Sequence, residues 1–233
     1  MCTVTFLPLP NSNFILTSNR DEQPLRETFA PKKYEENGIE MLFPKDKIAG
    51  GTWIGVSSKN RLVCVLNGAY KKHTRKEIYK KSRGIIAKEI LKTSNLNKYI
   101  DHLDLEEIEP FTMVIVDWND GVLNLFEFIW DETEKYFNKL KNEPQIWSSS
   151  TLYVDAIKQT RKKWFHNWTT NNEFTSSAIL NFHHSEIGDK EQSIFMKRSY
   201  VETVSITSVK KENTTIEMRY EDTINDKVAC VKF

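Results

Sequence analysis

The sequence predicts an α+β fold, one domain in which antiparallel hairpins alternate with helices. Three observations predict it. β-rich runs occur in pairs around short turn segments, two stretches shift their apolar period from two to about 3.6, and no repeat or flexible linker interrupts the 233 residues. The first pair is residues 2–7 and 14–19, separated by Pro8-Leu9-Pro10-Asn11-Ser12-Asn13, a strong turn composition. The second is 52–57 and 62–67 around Ser58-Lys59-Asn60, opened by Gly50-Gly51 and closed by Gly68. Residues 77–91 then place Ile78, Ile85, Ile86 and Ile90 on one helical face. A third hairpin joins 111–116 to 122–129 through Asp120-Gly121. Tyr153, Ala156, Ile157, Thr160, Trp164 and Trp168 recur at helical spacing, with Lys158, Lys162 and Lys163 on the other face, and a further helix is expected over 173–182. Strands at 201–209 and 214–220, around Lys210-Lys211-Glu212-Asn213, end the chain.

Composition excludes several function classes. Lys and Arg number 33 against 32 Asp and Glu, so the net charge of +1 lacks the basic excess of a nucleic-acid binder. A 28% charged fraction beside 6 Trp, 8 Tyr and 13 Phe describes a chain with a core. Apolar runs are short, 111–116 among the longest, so no membrane span is expected, and the N-terminus has neither the basic start nor the apolar stretch of a signal peptide. A cytoplasmic protein acting on a small-molecule substrate or ligand is the expectation. The three cysteines, Cys2, Cys64 and Cys230, are too few and too scattered for a disulfide framework; Cys64 and Cys230 sit in apolar runs and read as buried small residues.

Cys2 differs because only the initiator Met1 precedes it, and a small second residue permits removal of that methionine. If the first two strands pair across a turn near Pro10 and Asn11, Cys2 falls opposite Asn19 or Arg20, beside Asn19-Arg20-Asp21-Glu22. Trimming would then put a free thiol and a free α-amine on one residue, next to a guanidinium and two carboxylates. The amine titrates near ~7.7–8.0 and the thiol near ~8.5, so the amine can take the thiol proton with little driving force. Arg20 would favour the thiolate, and Asp21 would hold the ammonium. Which of Arg20 and Asp21 shares the face of Cys2 turns on a one-residue register choice that the sequence leaves open. Read without its position, Cys2 is better taken as an ordinary strand residue and Asn19-Arg20-Asp21-Glu22 as a solvated strand end.

Four ordered motifs now carry a resemblance. Met1-Cys2-Thr3-Val4-Thr5, Thr17-Ser18-Asn19-Arg20-Asp21-Glu22, Gly50-Gly51-Thr52-Trp53-Ile54-Gly55 and Val65-Leu66-Asn67-Gly68-Ala69 resemble the NRDE family, that of the transport and Golgi organisation 2 proteins. Weaker similarity runs through Trp147-Ser148-Ser149-Ser150 to Thr203-Val204-Ser205-Ile206-Thr207. The resemblance implies a four-layer αββα sandwich of the N-terminal nucleophile hydrolase type, similar in its leading cysteine to the choloylglycine hydrolases. It also implies roles. Cys2 would be nucleophile and, through its amine, base; Arg20 and Asp21 would orient it; Asn67 would offer an N–H to the oxyanion. Asn19 and Glu22 would support this pair. Ser149 stands where many such sequences carry asparagine, and Arg198 matches a late superfamily arginine. Trp53 would wall the pocket or seal the core. The activity implied is hydrolysis of a non-peptide amide through a thioester. The alternative is a non-catalytic carrier or trafficking factor for a small hydrophobic ligand.

Other signals point to no cofactor or metal. His183-His184 lacks further donors at ligand spacing, no phosphate-binding glycine motif is present, and the basic run from Lys71 to Arg83 reads as a solvated helix start that could attract an anion.

Overall fold

Residues that tolerate left-handed backbone decide where the chain reverses. The computed structural model describes residues 3–233; Met1 and Cys2 lie outside the described residues. β1 (Thr3–Leu9) and β2 (Asn13–Glu22) meet at a turn in which Asn11 and Ser12 take φ of 61° and 56°. β3 (Thr28–Glu36) and β4 (Ile39–Asp46) form a hairpin the pattern reading does not include. Its turn is Asn37-Gly38, both at positive φ (55° and 73°), as a tight two-residue hairpin loop demands. The remaining elements are β5 (Ile54–Ser57), β6 (Arg61–Asn67), α1 (Arg83–Lys92), α2 (Leu96–His102), β7 (Phe111–Asp117), β8 (Asn124–Trp130), β9 (Lys135–Leu140), β10 (Gln145–Ser148), α3 (Asp155–Asn171), α4 (Ser176–His183), β11 (Glu202–Glu212), β12 (Thr215–Asp222) and β13 (Lys227–Lys232).

Contacts divide the chain into two compact units. The first joins the residues up to Arg26 with Glu143–Phe233 and contains a six-stranded antiparallel sheet of order β10-β1-β2-β11-β12-β13. Helix α3 packs on β10, and α4 on β2 and β11. Alternation along the strands points Leu7, Ile15 and Ile146 at Phe165, Ile179 and Phe182 from these helices. Trp164 and Trp168 pack against the same cluster, as their spacing suggests.

The second unit, Glu27–Asn142, is an antiparallel meander in which β3 to β9 follow one another across a seven-stranded sheet. Helix α1 lies on β5 and β6. At ten residues and without a side-chain N-cap hydrogen bond, it is marginal in isolation. Burial of Ile86, Ala87, Ile90 and Leu91 supplies what propensity does not, at about 1.5–3 kcal/mol for each large side chain. Met41, Val63, Val65, Met113 and Phe128 belong to the same core.

Several expectations are corrected. The helix expected over 77–91 starts only at Arg83, and Ile78 is 84% exposed. The basic run before it is not helical, and its lysines make exposed ion pairs: Lys76 with Glu132 (2.7 Å), Lys80 with Asp104 (2.9 Å) and Lys81 with Glu89 (2.9 Å). The start is fixed instead by Gly84, where a Cβ would lie 2.7 Å from the carbonyl oxygen of Thr52. A Cβ on Gly51 would likewise lie 2.7 Å from the carbonyl carbon of Gly84. The Gly50-Gly51-Thr52 motif is thus a backbone-to-backbone crossing, and Thr52 Oγ1 sits 2.7 Å from the carbonyls of both Pro44 and Ile54. Tyr153 precedes α3 and does not lie on it. Cys64 is buried as expected, but Cys230 is exposed: it lies on the edge strand β13, where Val228 is likewise 55% exposed.

Candidate active site

Strand register assembles the expected residues of the first unit. The order β10-β1-β2-β11 sets Ser148, Thr3, Asn19 and Ile206 in one row. Cross-strand partners share a face, so Thr3 and Asn19 both point to the side covered by α3 and α4, and Arg20 points to the other. Thr3 thereby occupies the place opposite Asn19; Cys2, expected opposite Asn19 or Arg20, lies outside the described residues.

Asn19 is fully buried and serves structure. Its Nδ2 donates to the carbonyls of His183 (3.0 Å) and Ile194 (2.8 Å), which fixes the amide so that Oδ1 accepts from His183 Nδ1 at 2.6 Å. Thr5 Oγ1 completes the ring by meeting His183 Nε2 at 2.8 Å. Every polar atom of the neutral imidazole is matched, so His183 is a latch between β1, β2 and α4.

Burial, with smaller contributions from the His184 and Arg161 charges, pushes the His183 imidazole down to about 3. In the unfolded chain the same ring titrates near ~6.5, so between these values the unfolded state binds a proton that the native state excludes. Stability is therefore full above about pH 6.5 and falls on acidification, at up to about 1.4 kcal/mol per pH unit. Urea unfolding at pH 7 and pH 5 should differ by about 2 kcal/mol on this account. His183→Gln should lose most of that difference; an equal pH dependence in the variant would exclude His183 as its source.

Arg20 and Asp21 are 4% and 3% exposed at the end of β2. A β-bulge between Thr203 and Ser205 of β11 lets Thr203 pair with Asp21 while Ser205 pairs with Arg20, re-aiming the carboxylate. Thr203 Oγ1 donates to Asp21 Oδ1 at 2.7 Å and the Tyr153 hydroxyl donates to Oδ2 at 3.2 Å. Arg20 Nη1 donates to the Arg26 carbonyl at 3.4 Å. Glu22, further out, pairs with Arg26 at 3.4 Å. Ser149 is buried just past β10; its Oγ lies 2.9 Å from Thr151 Oγ1, and its carbonyl accepts from the Tyr153 amide at 3.1 Å. Arg198 donates to the carbonyls of Glu191 (2.9 Å) and Leu152 (3.3 Å), with its guanidinium 5.3 Å from the Tyr153 ring centre. Asp21, Ser149 and Arg198 thus all connect to Tyr153.

Asn67 and Trp53 belong to the second unit. Asn67 closes β6 opposite Phe111, before Gly68 at φ 81°. Trp53 is buried and its carbonyl accepts from the Val65 amide at 2.7 Å. A cavity of about 610 Å³ opens in this unit at Lys80, Lys92, Tyr99, Leu103 and Ile108, and no expected site residue lines it. The lysines at its mouth are paired, Lys80 with Asp104 and Lys92 with Glu36, each at 2.9 Å.

Pattern reading did not single out Tyr153, Thr203 or Arg161 for the site. For Arg161 a signal existed: four residues before Phe165, it is a charge placed on the apolar stripe of α3.

The family model described as Transport and Golgi organisation 2 matches residues 1–226. The chain belongs to the Transport and Golgi organisation 2 family. Solved structures extend this to the fold. A variant of conjugated bile acid hydrolase from Clostridium perfringens matches with a TM-score of 0.58 at 11% identity, over 99% of this chain and 92% of that one. Penicillin V acylase from Agrobacterium tumefaciens matches at 0.59 and 10% identity, over 100% and 86%. The N-acylethanolamine-hydrolyzing acid amidase ortholog of Caenorhabditis elegans matches at 0.59 and 10%, over 89% and 92%. No curated protein matches the sequence. This member of the Transport and Golgi organisation 2 family therefore has the N-terminal nucleophile hydrolase fold, each unit bringing one sheet and its helices. Among the described residues, no helix is long and apolar enough to cross a membrane.

Proposed function

We propose that this protein is a cysteine-type N-terminal nucleophile hydrolase that cleaves the C–N bond of a non-peptide amide. The observation that carries the reading is the burial of Arg20 and Asp21 at the end of β2, beside the strand that begins the described residues, with the Asp21 carboxylate fixed by Thr203 and Tyr153. Buried charges of this kind are costly unless partnered, and here the carboxylate has a hydroxyl donor on each oxygen. Likeness to amide-cleaving enzymes in fold supports the same reaction class.

In the proposed reaction, loss of Met1 exposes the Cys2 amine. That amine takes the thiol proton, and the thiolate attacks the substrate carbonyl carbon, forming a C–S bond and an oxyanion. As the carbonyl reforms, the C–N bond breaks and the ammonium returns its proton to the departing amine. Water, deprotonated by the same amine, then attacks the thioester, releasing a carboxylic acid and restoring the thiol. Arg20 favours the thiolate electrostatically, Asp21 holds the ammonium, and Asn67 is assigned the oxyanion N–H by family resemblance.

Intact-mass measurement of the purified protein should show Met1 absent. Incubation with an activated acyl ester should add one acyl group, removable by hydroxylamine as a thioester, and Cys2→Ala should accept none. Retention of Met1 in protein that acylates normally would end this mechanism. A ligand retained by Cys2→Ala, without turnover of any amide by the parent protein, would instead support the carrier.

A further inference from the structure

The geometry points to Tyr153 and Arg161 as a positioning pair that fixes the acidic partner and the start of β1 together. This inference rests on the Cys2–Asp21 reading above and extends it to residues outside the quoted motifs. Arg161 is completely buried on α3, an expensive place for a guanidinium unless its donors are used. They are used. Nε donates to the Gln192 carbonyl at 3.0 Å, Nη2 to the Ser193 carbonyl, and Nη1 to Thr3 Oγ1 at 2.7 Å.

The guanidinium also lies 3.6 Å from the centre of the Tyr153 ring, a stacking distance at which cation–π attraction is strongest when both groups are dry. Tyr153 is 1% exposed, and its side-chain hydroxyl donates to Asp21. One stacked unit therefore touches Thr3, the residue that follows Cys2 in sequence, and Asp21, the carboxylate assigned to the ammonium. The planar fork is required: a lysine has a point charge and could not both stack and reach these acceptors. If only α3 docking were needed, apolar side chains of similar volume would serve at less desolvation cost. Neither residue is assigned contact with substrate; both act through the groups they hold.

The test uses iodoacetamide on the full-length protein, with labelling rates of Cys2, Cys64 and Cys230 resolved by peptide mass spectrometry. Exposed Cys230 gives a reference rate for a thiol outside the proposed site, and buried Cys64 reports opening of the fold. In the parent protein Cys2 should react at least 10-fold faster than Cys230. Tyr153→Phe, which keeps the ring and its stack, should slow Cys2 about 5- to 10-fold with Cys230 and Cys64 unchanged, while loss of its hydrogen bond to Asp21 lowers the thermal midpoint by about 2–10 °C without opening the fold. Arg161→Lys should do likewise, and the double variant should be no slower than the slower single one, because the two act as a unit. If Arg161→Lys also speeds Cys64 labelling, Tyr153→Phe decides alone. A Cys2 rate in Tyr153→Phe within twofold of the parent, where the parent Cys2 is fast, overturns the positioning role and leaves the nucleophile standing. A parent Cys2 no faster than Cys230 removes the nucleophile reading itself.

Discussion

Asp21→Asn is expected to slow acylation of Cys2 by about 100- to 1,000-fold, the loss seen when a preorganised electrostatic partner is taken from a buried site. The substitution keeps the volume and removes the charge. It also replaces one acceptor oxygen by an N–H donor, and both oxygens of Asp21 now receive hydroxyl donors, from Thr203 at 2.7 Å and Tyr153 at 3.2 Å. One of those bonds must be lost or reversed, which costs about 1–3 kcal/mol of stability. The activity loss expected is larger than that cost explains, because the remaining fold still presents the thiol. Glu212→Gln serves as the control. Glu212 is exposed at the far end of β11 and pairs with Lys210 at 2.9 Å, so its loss should change the rate less than threefold. The measurement is the second-order rate of single acylation by an activated ester, followed by intact mass. An Asp21→Asn rate within threefold of the parent would remove the carboxylate from the mechanism.

What the sequence made legible was set by how strongly each segment's chemistry is local. The Asp120-Gly121 hairpin and the paired strands β5 and β6 announce themselves through turn residues and dense apolar runs. β3 and β13 do not, because each is an edge strand: in β3 only Pro31 is fully buried, and β13 buries none of its residues completely. Edges need no apolar alternation, and charged residues there protect against pairing with other chains. Yet Asn37-Gly38 was a readable turn even where its first strand was not. At the site, Arg20 and Asp21 were legible because they stand two strands' length from Cys2 across a turn. Tyr153, Thr203 and Arg161 come from far along the chain, and only the pairing of β2 with β11 and the packing of α3 bring them in. The bulge at Thr203 left no mark in the periodicity. Asn19 shows the opposite case: a motif residue next to the catalytic candidates whose buried amide joins β2 to the end of α4 at His183 and to Ile194 beyond it.

In the second unit, the largest expected stability effect is at Arg61. This arginine is 2% exposed at the start of β6, directly across from Asp117 on β7. Its Nη2 and Nε meet Asp117 Oδ2 at 2.6 and 2.7 Å, and Nη1 reaches the carbonyls of Ile90 at 2.9 Å and Thr93 at 2.6 Å. The latter two are at the C-terminal end of α1, where the Ile90 carbonyl also accepts from the Thr93 amide at 3.4 Å and the dipole favours a cation. Arg61 thus fastens the helix end to the sheet, complementing the Gly51–Gly84 crossing at the helix start. Arg61→Ala removes the cation and strands a nearly buried carboxylate, so a loss of about 3–5 kcal/mol is expected. At about 2–4 °C per kcal/mol for a chain of this size, the thermal midpoint should fall by about 6–20 °C. Replacing both partners, Arg61→Met with Asp117→Leu, should cost less than Arg61→Ala alone, because no charge is then left buried without its partner. Chemical denaturation of the three variants separates the cases. If the double variant is the least stable, the fastening of α1 by carbonyl hydrogen bonds outweighs the ion pair; if Arg61→Ala costs under 1 kcal/mol, water has replaced the guanidinium and the helix end is held by packing alone.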